Sequence, residues 1–244
     1  NNYFGLKMRS LLRQILISVT PPILFNALRL IYNKGNKYYA LDKMEKKLIK
    51  YLDFNCGYFI EIGANNGITQ SNTYYFEKVK KWRGVLIEPS PNNYLLCKKN
   101  RSKANKYYCN ACVSFNFKEE FVKIAYSDLV STPINLESDE SNPFSRAQQG
   151  LTSFTEDEIP IYGAIPKTMN EILIDSSSPR DIDFFSLDVE GAEIEVLKGI
   201  DYNKYKFRYI LVESSTPNKI EDFLAKHNYR LIEKLSYHDY LFEF

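Results

Sequence analysis

The run YFIEIGANNG, residues 58–67, restricts the fold of this chain more than any other stretch. An apolar strand carries an acid, Glu61, near its end and passes into a turn marked by Gly63 and Gly67. Gly63 permits a sharp turn at the strand tip, and Gly67 is read as a point where backbone closely approaches a ligand. Such a strand belongs to a sheet whose ligand crevice lies off the carboxyl ends of its strands. From residue 42 onward the patterns alternate. DKMEKKLIKYL, SNTYYFEKVKKW, PNNYLLCKKNRSK and NKIEDFLAKHN read as helices, and RGVLIEPS, KYYCNACVSF, EEFVKIAY and FRYILVESS as strands. DFFSLDVE is a strand that enters the helix GAEIEVLKGI, opened by Glu190 and Gly191, and YRLIEKLSYHDYLFEF closes as a hairpin. The expected class is α/β, with a mostly parallel central sheet, helices on both faces and an antiparallel C-terminal hairpin. Residues 127–170 interrupt this domain of residues 42–244. Rich in Ser, Thr, Pro, Asn and acids, they read as a loop insertion on the substrate side.

The formal net charge of +2 conceals an asymmetry: residues 1–123 hold 21 Lys/Arg and 8 Asp/Glu, whereas residues 124–244 hold 11 and 22. A basic half suits an anionic partner or simply a solvated surface. Residues 1–41 carry six Lys/Arg and no acid. Arg13, Pro21-Pro22 and Arg29 keep their apolar stretch below the ~20 residues of a spanning helix, and no cleavage site follows. A basic helical extension is expected there, packing on the domain, pairing two copies as a homo-oligomer or lying on an anionic membrane surface. Cys56, Cys97, Cys109 and Cys112 include one C-x-x-C, too few ligand pairs for a structural zinc. Buried free thiols in a reducing cytoplasm are expected, with peripheral contact at the inner membrane face as the variant location. No aromatic-basic pattern suggests a nucleic-acid partner.

Acids at three strand ends carry the chemistry. The first glycine turn spaces its residues as G-x-x-x-G, without the third glycine of a dinucleotide site. With Glu61 before it, this turn suits a ligand of cationic character and no diphosphate. Glu88 ends the next strand, where an acid accepts two ribose hydroxyls. Asp188 ends a third strand, with Glu190 two residues beyond it. A nucleoside with a positive group and no diphosphate describes S-adenosylmethionine (SAM).

The segments FIEIGANNGITQSNTYYFE, WRGVLIEPSPNNY, KTMNEIL, IDFFSLDVEGAEIEVLKGID and YILVESS together resemble the FkbM-type SAM-dependent methyltransferases, over residues 55–244. The resemblance implies a Rossmann-like class I methyltransferase fold, SAM as donor, and O-methylation of a sugar or glycan-linked acceptor in polysaccharide or antibiotic pathways. Carried over by position, Glu61, Gly63, Asn65 and Gly67 cradle the methionine part. Glu88 holds the ribose, Pro89 and Ser90 shape the adenine edge, Ala111 and Cys112 line the adenine, and Asp188 and Glu190 face the reacting centre. Asn66 stands where the family often has an acid.

An alcohol is a weak nucleophile, so a base or a metal must help remove its proton. Asp188, Glu190, Glu213 and His238 are the candidates, and Asp188, Glu190 and Glu213 are also candidate ligands for Mg²⁺. For Glu190 a helix-capping role competes. A strand His such as His238 is often structural, and His227 is expected to complement a helix dipole. Arg146, Gln148 and Gln149 in the insertion suit sugar hydroxyls or an acidic group on the acceptor. The rival readings are an NAD-dependent sugar dehydrogenase or epimerase, disfavoured by the missing glycine, and a non-catalytic scaffold of the same fold.

Overall fold

The computed structural model describes residues 38–138, 142–151, 155 and 158–244. The basic extension expected over residues 1–41 falls outside them as far as residue 37. In chain order the elements are α1 (Met44–Leu52), β1 (Tyr58–Ile62), α2 (Tyr74–Lys80), β2 (Arg83–Ile87), α3 (Pro91–Asn100), β3 (Lys106–Tyr108), β4 (Ala111–Val113), β5 (Val122–Ala125), β6 (Thr132–Pro133), α4 (Pro143–Gln148), β7 (Ile161–Ala164), β8 (Pro166–Thr168), α5 (Met169–Asp175), β9 (Asp181–Leu187), α6 (Glu193–Leu197), β10 (Lys206–Glu213), α7 (Pro217–Ala225), β11 (Arg230–Lys234) and β12 (Asp239–Glu243).

Seven strands form the main sheet, in the order β11-β12-β10-β9-β1-β2-β3. The pairs among β3, β2, β1, β9 and β10 are parallel. β12 runs antiparallel to both β10 and β11. The expected hairpin is therefore present, with its last strand inserted inside the sheet edge. Chain order reverses between β1 and β9, which places a topological switch point at the tips of these two strands.

Near-continuous apolar runs explain why β1, β2, β9 and β10 form the centre: both faces of a parallel sheet are covered, so both parities must be apolar. Ile60, Ile62, Val85, Ile87, Phe185 and Leu187 share one face with α5, α6 and α7 through Met169, Ile172, Val196, Leu197, Ile220 and Leu224. On the other face Phe76 of α2 meets Phe184, and Tyr51 of α1 meets Tyr209. α5 starts with a reciprocal Thr168–Glu171 capping box, which satisfies two donors of its first turn.

Three expectations need correction. KYYCNACVSF is not one strand: it breaks at Cys109–Asn110, and β4 leaves the main sheet to pair with β8. Residues 127–170 are not a plain loop. They supply β6 and β7, which flank β5 in a small antiparallel sheet, and also β8 and α4. The helix after Asp188 does not open at Glu190. Glu190 (φ +56°) and Gly191 (φ +102°) form a left-handed turn, and α6 begins at Glu193.

Among the described residues no helix is long and apolar enough to cross a membrane. All four cysteines are free. Cys97 and Cys112 are buried, as expected of packed thiols, but Cys56 is exposed. Burial pushes the Cys112 thiol up to about 12, which leaves it unreactive at neutral pH.

Candidate active site

A crevice of about 320 Å³ opens at the switch point, lined by the tips of β1, β2 and β9, by β4 and by the insertion. Its geometry starts at Gly63. The turn needs φ +80° there, and a Cβ would overlap the backbone carbonyl oxygen of Asp188. Glycine thus lets the tips of β1 and β9 touch, with Asp188 N–H donating to the Ile62 carbonyl at 3.3 Å. Gly63→Ala is expected to cost about 2–3 kcal/mol of stability in urea unfolding, from strain plus overpacking.

Glu88 ties the second tip to the first. Its carboxylate accepts the N–H of Asn65 at 2.8 Å and that of Ser90 at 2.8 Å. Glu88 lines the crevice together with Gly63, Asn65, Pro89, Ala111 and Cys112. Sequence reasoning missed Gln70, Asn110, Ile124 and Leu136 in this wall. Gln70 (φ +57°) sits in the turn beyond Gly67, and Ile124 is carried there by β5 in the small antiparallel sheet.

Glu61, Gly67 and Ser90 do not line the crevice. Strand parity explains Glu61: Ile62 faces the crevice, so its neighbour turns to the opposite face of β1. There the Glu61 carboxylate accepts from Ser71 Oγ (2.9 Å), Asn72 N–H (3.0 Å), Thr73 Oγ1 (2.7 Å) and Arg101 Nη1 (3.2 Å). Arg101 is wholly buried and donates its Nε to Glu77 at 2.7 Å. Burial alone would push Glu77 up, but Arg101 beside it holds its carboxyl below the usual range. Glu61 therefore anchors the turn that carries Asn65, and a direct grip on a cationic ligand is corrected. Gly67 (φ +79°) packs against Cys97 and Arg101 rather than a ligand. Ser90 caps α3 by accepting from Asn93 N–H. Asn66, at the position of the family acid, folds the turn by accepting the N–H groups of Ile68 (3.0 Å) and Thr69 (2.9 Å).

The acids collect at the far wall. Asp188, Glu190, Glu213 and Arg146 line both the main crevice and a small adjoining cavity, which His238 also borders. Burial, then Glu213, Glu190, Glu193 and Asp239, hold the Asp188 carboxyl well above the usual range. Burial and Asp239 also raise Glu213, while His238, Arg146 and a hydrogen bond with Asp188 pull it down. Each carboxyl therefore favours its protonated form beside the other's charge. Glu190 is held by Arg146, which donates Nε at 2.8 Å and Nη2 at 2.6 Å to one oxygen. Arg146 Nη1 also reaches Gln149 Oε1 at 3.2 Å. Gln148 and Gln149 line neither cavity. His238 is exposed, and His227 stacks on Tyr202 at 3.9 Å instead of acting on a helix end.

Mg²⁺ does not fit this donor set. Among the described residues no group of His, Cys, Asp and Glu is arranged to hold a metal ion, and Glu190 is committed to Arg146. SAM fits. Glu88 brings a carboxylate to the crevice suited to ribose hydroxyls, Pro89, Ala111, Cys112 and Ile124 give an apolar wall for a base, and the acids at the far end favour a cation over a diphosphate.

The profile of the Methyltransferase FkbM domain family matches residues 61–231. No curated protein sequence matches the chain. Similar solved structures include an FkbM methyltransferase from Methylobacillus flagellatus KT, at 12% identity and TM-score 0.44, covering 89% of this chain and 60% of that one. Another is a precorrin-6Y C5,15-methyltransferase from Geobacter metallireducens, at 12% identity and TM-score 0.40, covering 85% and 93%. A third is a SAM-dependent methyltransferase from Thiobacillus denitrificans in complex with S-adenosyl-L-homocysteine, at 12% identity and TM-score 0.33, covering 88% and 73%.

Proposed function

Since the chain belongs to the FkbM methyltransferase family, we propose that it methylates a hydroxyl oxygen of a sugar or glycan-linked acceptor. When bound, SAM supplies an electrophilic methyl group on a sulfonium. The remaining tasks fall to this chain. Glu88 takes the ribose hydroxyls, with the Asn65 and Ser90 N–H groups fixing its carboxylate. The apolar wall of Pro89, Ala111 and Cys112 takes the adenine. The Asp188–Glu213 pair takes up the hydroxyl proton.

The observation that carries this reading is the placement of Asp188 and Glu213 together in the crevice wall, where burial raises both carboxyls. A carboxylate with an ordinary pKa is too weak a base for an alcohol, and a raised one is better matched. Amines need less help, because a neutral amine is already nucleophilic. His238, on the rim of the adjoining cavity, gives the proton a route to solvent. Arg146 crosses from the insertion to the acid cluster and contacts the acceptor, with Gln149 orienting it. Cytoplasmic location and peripheral membrane contact through residues 1–41 complete the proposal.

The test is transfer of labelled methyl from SAM onto a panel of nucleotide sugars and glycan fragments. Alkali-stable label on a hydroxyl oxygen is expected. Label in amines or alkali-labile esters, or none on any sugar, overturns the acceptor class. Calorimetry with S-adenosylhomocysteine and with NAD checks the cofactor: binding of the first alone is expected. Arg146→Ala is expected to raise the acceptor KM about tenfold, the value of one charged hydrogen bond, with S-adenosylhomocysteine affinity unchanged.

A further inference from the structure

One segment reaches the crevice without a task in the chemistry above. Leu41 lines the crevice together with Thr69 and Gln70 of the first turn, although it is 57% exposed. A lone exposed leucine on open surface needs no explanation, but this one is held in place. The fully buried Glu45 carboxylate, in the first turn of α1, accepts the N–H groups of Tyr39 and, at 2.6 Å, Ala40. The Tyr39 ring meets the Tyr74 ring edge-on at 4.6 Å, at the start of α2. α1 is itself sunk into the core by Met44, Leu48 and Leu52. Its Lys47 Nζ donates to the Leu235 carbonyl, in the turn of the C-terminal hairpin, at 2.6 Å. Between these anchors Asp42 (φ +51°) and Lys43 (φ +55°) are both left-handed. Two successive non-glycine residues in that region are strained, and they persist only where the surroundings enforce them. The reversal sends Met44 into the core and leaves Leu41 in the crevice wall.

We infer that Leu41 packs against the bound SAM and seals the donor's side of the crevice from water. This rests on the SAM reading of the same crevice. The anchors favour the donor over the acceptor. The segment rests on Tyr74, directly after the turn that brings Asn65, Thr69 and Gln70 into the wall, and Asn65 N–H is bound to the Glu88 carboxylate that takes the ribose. A ligand against that wall covers Leu41 and removes its apolar surface from water. In the free protein the same side chain is more than half exposed, so it serves binding while adding little to the core. The last residue of the basic extension thereby becomes part of the donor site.

Calorimetry on the full chain with S-adenosylhomocysteine tests the inference. Leu41→Ala is expected to weaken binding about five- to tenfold. It should also make the heat-capacity change of binding less negative, since less apolar surface is covered. Leu41→Met, which conserves volume, should bind like wild type. The urea midpoints of the three unliganded proteins should coincide, because Leu41 has little burial to lose. Affinity of L41A within about twofold of wild type overturns the inference, and a rise in acceptor KM alone then gives the residue to the acceptor. Equal weakening in L41A and L41M, or weakening that comes with a lowered urea midpoint, traces the loss to a disturbed backbone and overturns it as well. Failure of wild type to bind S-adenosylhomocysteine sinks the SAM reading itself, a result distinct from these.

Discussion

Asp188→Asn is expected to lower kcat by about 10²–10⁴-fold, the usual range for losing a general base, while raising the melting temperature. The two effects share one cause. In the fold, burial and then Glu213, Glu190, Glu193 and Asp239 lift the Asp188 carboxyl well above its ordinary value. In the unfolded chain it titrates near its usual value, about 3.9. The native state therefore binds the proton more tightly, and stability falls as pH rises from the unfolded value through the raised native one. An amide of the same shape removes that penalty. The gain in melting temperature should thus be largest at and above neutral pH and vanish below about pH 4. Differential scanning calorimetry across that range checks it, alongside single-turnover methyl transfer. Normal turnover in D188N would end the catalytic role, and an unchanged melting temperature at all pH values would mean Asp188 is not strained by its charge. The wild-type rate should rise with pH through the raised value of the Asp188–Glu213 pair, since the base form must be free.

Arg101→Met is expected to destabilise the protein by about 3–5 kcal/mol, the cost of leaving buried charges uncompensated. Arg101 is wholly buried, and the side chains of Glu61 and Glu77 are 4% and 3% exposed. Its guanidinium also holds the Gly67 carbonyl (3.1 Å), Ser71 Oγ (3.1 Å) and Thr73 Oγ1 (2.9 Å). One side chain thus pins the whole turn from residue 67 to residue 73. Urea unfolding of R101M measures the loss. Adding Glu61→Gln and Glu77→Gln should recover much of it, since neutral amides tolerate burial better than unpaired carboxylates. No recovery would shift the cause to lost packing over the Phe59 ring, which Arg101 faces at 5.3 Å.

The sheet was legible because its central strands are apolar at both parities, a pattern that only a doubly covered parallel sheet requires. Glu88 and Asp188 were legible because each directly follows such a run. Glu61 was misread by one residue of parity, although Ile60 and Ile62 on either side carried that information. Arg101 was silent because its partners lie 24 and 40 residues earlier in the chain. The structure within residues 127–170 was hidden because its strands are only two to four residues long, too short for periodicity to register. The break at Cys109–Asn110 has no Gly or Pro to mark it.

That break couples two tasks that are separable in many enzymes. β4, which lines the crevice, pairs with β8, and β8 leads straight into the Thr168 cap of α5. A chimera made by exchanging only residues 127–165 between relatives would hand β4 a foreign partner. The transplantable unit begins at residue 111 and runs through residue 168, so recombination that exchanges the insertion carries part of the opposite crevice wall with it.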